Sequence, residues 1–236
     1  MAAGVCSGFV TAFLQTRLGI QSILAGIIVN TGLYTINIAV MGFASNLNLF
    51  ACDSVFTWAK DAIGGTWYKL IVAAVIVALV GVLISLFLNT RLGLSIRATG
   101  DNPDMVRASS INTGMMITIG LCVANALTGL SGGLLAQYQK AVNIDIGTGM
   151  VTIALASLLI GGVFLGRSRL PLRIFGMILG AFVFRLVYTV ALRFDMPAFM
   201  LKLVSSVVVV LTISIPYLKR QYPLFKRRMQ HGRRRV

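Results

Sequence analysis

Side chains that could carry chemistry are few in this chain, and they are not clustered. The six acidic residues are all aspartates, and the single histidine, His231, lies near the C-terminal end. Glycoside cleavage needs two carboxyl groups that face one substrate, and metal sites need several Asp, Glu, His or Cys ligands close together. Cys6, Cys52 and Cys122 lack the spacing of a zinc site or a disulfide framework. The pattern argues against an enzyme and predicts no bound metal or cofactor. The aspartates are Asp53, Asp61, Asp101, Asp104, Asp145 and Asp195.

Apolar residues dominate the composition. They make up 57% of the 236 residues, and the mean hydropathy is +0.89, whereas a typical soluble domain is about 45–50% apolar. Most of the long apolar segments reach the roughly 20 residues that a helix needs to cross ~30 Å of hydrocarbon. A backbone in lipid must satisfy its own hydrogen bonds, so these segments are predicted to be helices. The sequence therefore predicts an all-α, polytopic transmembrane bundle of about seven spans. The segments are 1–15, 22–44, 69–89, 114–137, 148–166, 174–193 and 199–217.

Basic residues are distributed unevenly between the two sides of this bundle. Eight of the 21 Lys and Arg residues fall in the last 18 positions. With this end in the cytoplasm, the arginine-bearing connections lie inside and the lysine-only connections lie outside, as the positive-inside rule requires. The inside residues are Arg17, Arg91, Arg97, Arg107, Arg167, Arg169 and Arg173, and the outside residues are Lys60, Lys69 and Lys140. The distribution predicts a multi-pass membrane protein with a cytoplasmic C-terminus.

Two regions follow from this topology, a transmembrane domain at 1–217 and a basic cytoplasmic tail at 218–236. The net charge of +15 would suit nucleic-acid binding. The clustering of basic residues in the tail instead favours anionic lipid headgroups, so membrane lipid is the expected partner and nucleic acid is not. Seven spans with an inside C-terminus place Met1 outside, and the first segment is short. We therefore expect one or two further helices upstream of Met1 in the gene.

A polar segment, Arg97–Gly114, interrupts the apolar chain. Asn102 followed by Pro103 predicts a helix start, because the Asn side chain accepts from free backbone N–H groups and Pro lacks a donor that is not needed there. Asp104 adds a negative charge in the first turn, where the helix dipole favours it. The segment is predicted to form a short helix from Pro103 to about Ser110 on the cytoplasmic face. An ordinary solvated loop is the alternative.

Several glycines are spaced for close helix packing. The tetrapeptide LSGG, Leu130–Gly133, is similar to a motif of ABC-type ATPases, but the GxxxxGK[ST] loop of those proteins does not accompany it. Small residues at GxxxG spacing let helices approach closely in lipid. The pairs that predict such contacts are Gly129 and Gly133, Gly162 and Gly166, and Gly176 and Gly180.

Polar residues inside the spans are candidates for a translocation path. Asn30, Tyr34 and Asn37 occupy positions i, i+4 and i+7, which places them on one helical face. Asn125 lies in the fourth segment. Such groups are costly in hydrocarbon unless they pair or face water, so interhelical hydrogen bonding and path lining are both open. The role of Arg185 is open in the same way, since its guanidinium could snorkel outward, pair with a buried acceptor or line the path.

Two stretches carry a resemblance to a known family. One is ILAGIIVNTGLYTINIAVMG, Ile23–Gly42, and the more specific one is GLSIRATGDNPDMVRASSINT, Gly93–Thr113, followed by ALTGLSGGLLAQ. The chain resembles the permease subunits of bacterial ABC importers in the branched-chain amino acid and ribose-type family, especially the amino-acid permeases that work beside a lipoprotein. The likeness runs from about Gly4 to Arg220. Family members carry further hydrophobic sequence ahead of Gly4.

The resemblance implies that Gly100–Ile111 is a coupling helix that docks on a cytoplasmic ATPase subunit, which binds the ATP. It also implies a second permease subunit, with a homodimer expected, and an external substrate-binding lipoprotein at the bacterial cell membrane. Closure of the ATPase pair would then drive alternating access. The residues that match the family stretch are Arg97, Gly100, Asp101, Asn102, Arg107, Ala108 and Ile111, and the helix-start argument adds Pro103 and Asp104.

We therefore expect a permease subunit without its own ATPase site, which translocates a small polar solute, an amino acid rather than a sugar. A self-sufficient secondary transporter is one alternative, but such carriers often hold ionisable groups near the midplane, and here Arg185 comes nearest. A non-transporting membrane scaffold is the other alternative, and it would leave the capped helix unexplained. Neighbouring genes for an ATPase and a lipoprotein would favour the importer.

Overall fold

The computed structural model describes residues 1–50, 54–63, 67–147, 150–165 and 170–193, and five single positions between 203 and 214. The chain divides into two compact units, Met1–Asp145 and Ile146–Val236. The described part of the first unit contains α1 (Ala2–Thr16), α2 (Ser22–Val40), α3 (Val55–Ile63), α4 (Tyr68–Asn89), α5 (Arg91–Asp101), α6 (Pro103–Ala108) and α7 (Thr113–Gln139). It also contains the strands β1 (Asn46–Asn48) and β2 (Ala141–Asn143). The described part of the second unit contains α8 (Met150–Leu165) and α9 (Leu170–Arg193).

Four helices are long and apolar enough to cross a membrane, as judged by length and composition among the described residues. They are Ser22–Val40, Tyr68–Asn89, Thr113–Gln139 and Leu170–Val190, and two shorter apolar helices are Ala2–Thr16 and Ile153–Gly162. All six coincide with predicted segments, which confirms a mainly helical, membrane-type fold. The seventh predicted segment, 199–217, lies outside the described residues apart from five single positions. The count of about seven spans therefore stays a prediction.

Four elements of the described fold are absent from the sequence-based prediction. Helix α5 occupies residues that lie between two predicted elements, and α3 occupies a connection that carries no predicted element. The strands β1 and β2 pair antiparallel, with Leu47 opposite Val142, so a strictly all-α description is wrong at this point. Strands of three residues are too short to show the alternation by which a strand is recognised in sequence.

Helices α1 and α7 pack against each other through glycines in the first unit. A Cβ atom at Gly4 would lie 2.9 Å from the carbonyl carbon of Asn125, and one at Gly8 would lie 2.6 Å from the carbonyl oxygen of Leu121. These are backbone atoms, which cannot move aside as a side chain can. Close approach of small residues is how helices associate in lipid, where burial of apolar surface against water is not available to drive packing.

The second unit is held by an equally close contact between α8 and α9. A Cβ atom at Gly161 would overlap the carbonyl oxygen of Gly176, and one at Gly180 would lie 2.6 Å from the backbone nitrogen of Gly161. Beside this crossing, Ala156, Ile160 and Phe184 form a small buried cluster. The two helices thus pack through backbone contact at the glycines and through the apolar side chains beside them.

The predicted glycine pairs match these contacts only in part. Gly129, Gly176 and Gly180 lie at helix contacts, whereas a Cβ at Gly133 or Gly162 would meet nothing within 4 Å, and Gly166 lies outside the described residues. The contact on α8 is made by Gly161 instead. The spacing shows that two glycines share a helix face, but it does not show which face meets a neighbouring helix.

Candidate functional site

Helices α5 and α7 both begin at capping side chains, on either side of the predicted polar segment. The Oγ1 atom of Thr90 accepts a hydrogen bond from the Gly93 N–H at 3.2 Å, and the Oδ1 atom of Asn112 accepts one from the Met115 N–H at 3.1 Å. An N-cap bond satisfies one of the N–H groups that the first turn of a helix leaves open. These caps separate the polar segment into distinct helices rather than one continuous helix.

Helix α6 begins at Asn102, which caps it with two hydrogen bonds. Its Oδ1 atom accepts from the backbone N–H groups of Asp104 and Met105, both at 3.1 Å. Pro103 occupies the first turn, and Asp104 supplies the predicted negative charge. The predicted helix start is confirmed and the solvated loop is wrong, although the helix ends at Ala108, two residues earlier than predicted.

A Schellman turn ends α6. The Ser110 N–H donates to the Arg107 carbonyl at 3.0 Å, and the Ile111 N–H donates to the Val106 carbonyl at 3.3 Å. Ser110 adopts a left-handed backbone with φ of 61°, a conformation usually supplied by glycine. Val106 is the buried residue of α6, at 4% exposure. One apolar side chain and one tight turn therefore hold this short helix against its neighbours.

Arg107 joins α6 to α7. Its Nε atom donates to the Thr113 Oγ1 at 3.2 Å, and its Nη1 atom lies 3.9 Å from the Asp104 Oδ1. Thr113 is the first residue of α7 and is buried, whereas the side chains of Arg107 and Asp104 are 69% and 88% exposed. A solvent-exposed ion pair is worth only about 0–1 kcal/mol. The directional link between the short helix and the long helix is therefore the bond to Thr113.

Most of the predicted coupling residues lie on one polar surface, which we call the α5–α6 surface. Its exposed members are Arg97, Gly100, Asp101, Asn102, Pro103, Asp104, Arg107 and Ala108, and Ile111 at its edge is half-buried. A Cβ atom at Gly100 would meet nothing within 4 Å. Met105, which is 69% exposed, adds an apolar side chain to the surface. Charged groups of both signs around an exposed apolar residue form a surface that a protein partner could recognise.

A cavity of about 640 Å³ opens where α1 ends and α7 begins. It is lined by Phe9, Phe13, Thr16, Arg17, Asn112, Gly114, Met115 and Thr118. Farther along the same two helices, Gly4 and Gly8 lie directly against the α7 backbone. Helices α1 and α7 are therefore in tight contact between the first half of α1 and the middle of α7, and they leave space where α1 ends and α7 begins.

The candidate path residues of the first unit are not joined to one another. Asn30, Tyr34 and Asn37 are exposed along α2. Asn125 is half-buried on α7, and its Nδ2 atom donates to the Leu121 carbonyl of the same helix at 2.9 Å. This bond within α7 satisfies one N–H donor of the Asn125 side-chain amide, so this donor needs no partner on a second helix. Whether these residues line a path stays a prediction.

Arg185 lies on an exposed face of α9 in the second unit. The central carbon of its guanidinium is 5.9 Å from the centre of the Tyr188 ring. Attraction between a cation and an aromatic face partly replaces the lost hydration of such a group. Tyr188, one helical turn away, is therefore a partner for the Arg185 guanidinium. A role for Arg185 in the path stays a prediction.

Comparison with protein families shows which family these features belong to. The family model described as "Branched-chain amino acid transport system / permease component" matches residues 1–213. The chain belongs to this family. The resemblance stated from its sequence is thereby confirmed, and the permease is a membrane transport component rather than an enzyme of metabolism.

Relatives of the permease come from three bacteria. It is 30% identical over 207 residues to the "Tyrosine transport system permease protein" of Clostridioides difficile (strain R20291), covering 88% of this chain and 68% of that protein. It is 25% identical over 224 residues to an uncharacterized protein of Rickettsia prowazekii (strain Madrid E), covering 90% and 75%. It is 24% identical over 174 residues to the "Nucleoside ABC transporter permease protein NupB" of Lactococcus lactis subsp. cremoris (strain MG1363), covering 66% and 48%. No solved structure matches the permease.

Two residues of the α6 region were not among the predicted coupling residues. Thr113 accepts the hydrogen bond from Arg107, and Val106 buries the inner face of the helix. Val106 carries a weak signal in the sequence, since it is the only β-branched residue within PDMVRA. Thr113 carries none, because the partner of its hydroxyl depends on the turn at Ser110.

Proposed function

We propose that the permease is the membrane-spanning subunit of an ATP-driven importer, in which a separate ATPase subunit binds the ATP and docks on the α5–α6 surface. The observation that carries the proposal is the hydrogen bond from Arg107 to Thr113. It ties an exposed, capped helix to the first residue of a helix long enough to cross the membrane. A displacement of α6 by the docked ATPase would therefore reach α7 at its end, where a small movement tilts the whole helix.

The packing around α7 supports such a tilt. Gly4 and Gly8 hold α1 against the middle of α7, and the cavity of about 640 Å³ leaves space beside its first turns. A long helix that is held along its middle and has space beside one end can pivot about the held part. Alternating access requires a movement of this kind, in which one end of the bundle closes as the other opens.

The solute in this proposal is small and polar, and it is an amino acid. The family description names branched-chain amino acid transport, and a relative with 30% identity is named a tyrosine permease. An external substrate-binding lipoprotein delivers the solute, and two copies of the permease form the translocation unit. The protein lies in the bacterial cell membrane with its C-terminus in the cytoplasm, since the arginine-bearing connections and the basic tail favour that side.

Two substitutions separate docking from transmission. Gly100→Trp adds bulk to the exposed surface at a position where the fold has room, so we expect about tenfold weaker retention of the ATPase subunit on co-purification, which corresponds to 1.4 kcal/mol. Thr113→Val keeps the shape of a buried side chain and removes the acceptor for Arg107. A hydrogen bond to a charged group is worth about 1.5–3 kcal/mol. We therefore expect normal docking but severalfold less solute uptake per ATP hydrolysed in proteoliposomes.

Each substitution has a matched control. Gly147→Trp places the same bulk at another exposed glycine with open space, and it should leave the ATPase bound. Thr128→Val removes a hydroxyl from the same helix, at a position that does not line the cavity and where the hydroxyl donates to the Ala124 carbonyl, and it should leave coupling unchanged. Unchanged association with Gly100→Trp, together with unchanged coupling with Thr113→Val, would refute the proposal.

A further inference from the structure

Helix α3 packs at the end of α7 that lies opposite the coupling residues. The 27 residues of α7 span about 40 Å at 1.5 Å per residue, so its two ends lie at opposite faces of a membrane. At the far end the Val55 N–H donates to the Gln137 Oε1 at 3.3 Å. The Phe56 and Tyr138 rings meet edge to face, with centres 5.7 Å apart. These contacts hold α3 at the level where α7 ends.

A second long helix fixes the same level. Helix α4 begins at Tyr68, directly after Trp67, and the Nζ atom of Lys69 in its first turn lies 5.1 Å from the centre of the Tyr138 ring. The start of one membrane-crossing helix and the end of another therefore meet beside α3. Since both helices must begin and end near the edge of the hydrocarbon, α3 lies at that edge.

Helix α3 presents two different faces. Phe56 is 5% exposed, on the face that packs on Tyr138. Val55 and Trp58 share another face at i and i+3, and they are 47% and 69% exposed. Trp67 is 70% exposed. With nine residues, or about 14 Å of length, α3 is too short to cross the bilayer.

We propose that α3 lies in the interfacial layer of the membrane leaflet at this end, with Trp58 and Trp67 inserted among the lipid headgroups and upper acyl chains. Tryptophan has an apolar ring body and one N–H donor, and it concentrates at this depth in membrane proteins. A short helix with one face on the protein and one apolar, aromatic face outward suits an interfacial position. The exposed indoles are thus a lipid contact that sets the depth of this end of the permease.

Depth-dependent fluorescence quenching tests this proposal directly, because the chain contains only two tryptophans. The permease is reconstituted in phosphatidylcholine vesicles that carry bromine near the headgroup, at mid-chain or near the terminal methyl. Trp58→Phe and Trp67→Phe each leave a single emitter. We expect the strongest loss of emission with the shallow bromine in both variants, which corresponds to indoles about 10–15 Å from the bilayer centre.

A buried emitter serves as the control. Phe56→Trp is introduced into the variant that carries both Trp58→Phe and Trp67→Phe. It places the single indole on the face that packs on Tyr138, and emission from this indole should be quenched weakly by every label. Emission from Trp58 and Trp67 that is quenched by aqueous iodide and by no brominated lipid would overturn the proposal and leave this face to a protein partner. Strongest quenching by the deepest bromine would overturn it as well. The proposal depends on membrane insertion and not on ATP coupling, so its failure would leave the proposed function untouched.

Discussion

Replacement of Gly161 by alanine measures how closely α8 and α9 approach. The added Cβ atom would lie 2.7 Å from the carbonyl carbon of Gly176 and 2.9 Å from the Cα atom of Met177. Carbon atoms in ordinary contact are about 3.5–4.0 Å apart, so the helices would have to separate by roughly 0.8 Å or more. Because the opposing atoms belong to the α9 backbone, no change of rotamer can relieve the overlap.

Two effects of opposite sign act in this variant. Alanine in place of glycine within a helix stabilises by roughly 0.5–1 kcal/mol, whereas overpacking costs about 1–3 kcal/mol. Gly162→Ala on the same helix gains the first effect without the second, since its Cβ would meet nothing within 4 Å. The difference between the two variants therefore isolates the overlap. We expect Gly161→Ala to be about 1–3 kcal/mol less stable than Gly162→Ala.

Unfolding of the purified permease in mixed micelles measures this difference. The mole fraction of dodecyl sulfate is raised in a mild detergent, and helicity is followed by circular dichroism for the wild type and both variants. The wild type should fall between the two, or close to Gly161→Ala if the helix-propensity gain offsets part of the overlap. Equal stability of the two variants, or a less stable Gly162→Ala, would show that the contact between α8 and α9 is not centred on Gly161.

Two further predictions concern the polar segment and the topology. Asn102→Ala removes both cap bonds, each 3.1 Å long, and should destabilise α6 by about 1 kcal/mol. The backbone amides of Asp104 and Met105 should then exchange hydrogen about fivefold faster. The control Asn102→Asp should keep their protection, because aspartate also caps. Mass spectrometry of exchanged peptides tests this, and equal exchange in Asn102→Ala and wild type would contradict it. With the native cysteines replaced, an impermeant maleimide added to intact cells should label Lys140→Cys and not Ser109→Cys, since the positive-inside rule places Ser109 in the cytoplasm; labelling of Ser109→Cys would reverse the orientation.

Local patterns predicted the start of the short polar helix α6 well. Asn102, Pro103 and Asp104 are neighbours in the chain, and a cap acts between a side chain and backbone groups two or three residues away. The apolar segments were predictable for a similar reason, because the bilayer imposes a minimum length on each helix. The start of α6 and the positions of α1, α2, α4, α7, α8 and α9 therefore follow from composition and spacing within short windows.

Longer-range contacts could not be predicted in this way. The bond from Val55 to Gln137 joins residues 82 positions apart, and the pairing of β1 with β2 joins segments that are still farther apart in the chain. The bond from Arg107 to Thr113 spans only six positions, yet it requires the left-handed turn at Ser110, a residue type that rarely adopts this conformation. Each of these contacts depends on how separate elements are placed, and no single window contains that information.

The sequence by itself determined the class of the protein, its family and the capped helix that interrupts its apolar chain, because hydrophobic length, helix caps and matched stretches are properties of neighbouring residues. Only the tertiary structure decided that Gly161 rather than Gly162 meets α9, that Arg107 reaches Thr113, and that α3 lies where α7 ends and α4 begins. The physical reason is rotational. A helix shows in its sequence which residues share a face, but the face that meets a neighbour is set by the packing of both helices together.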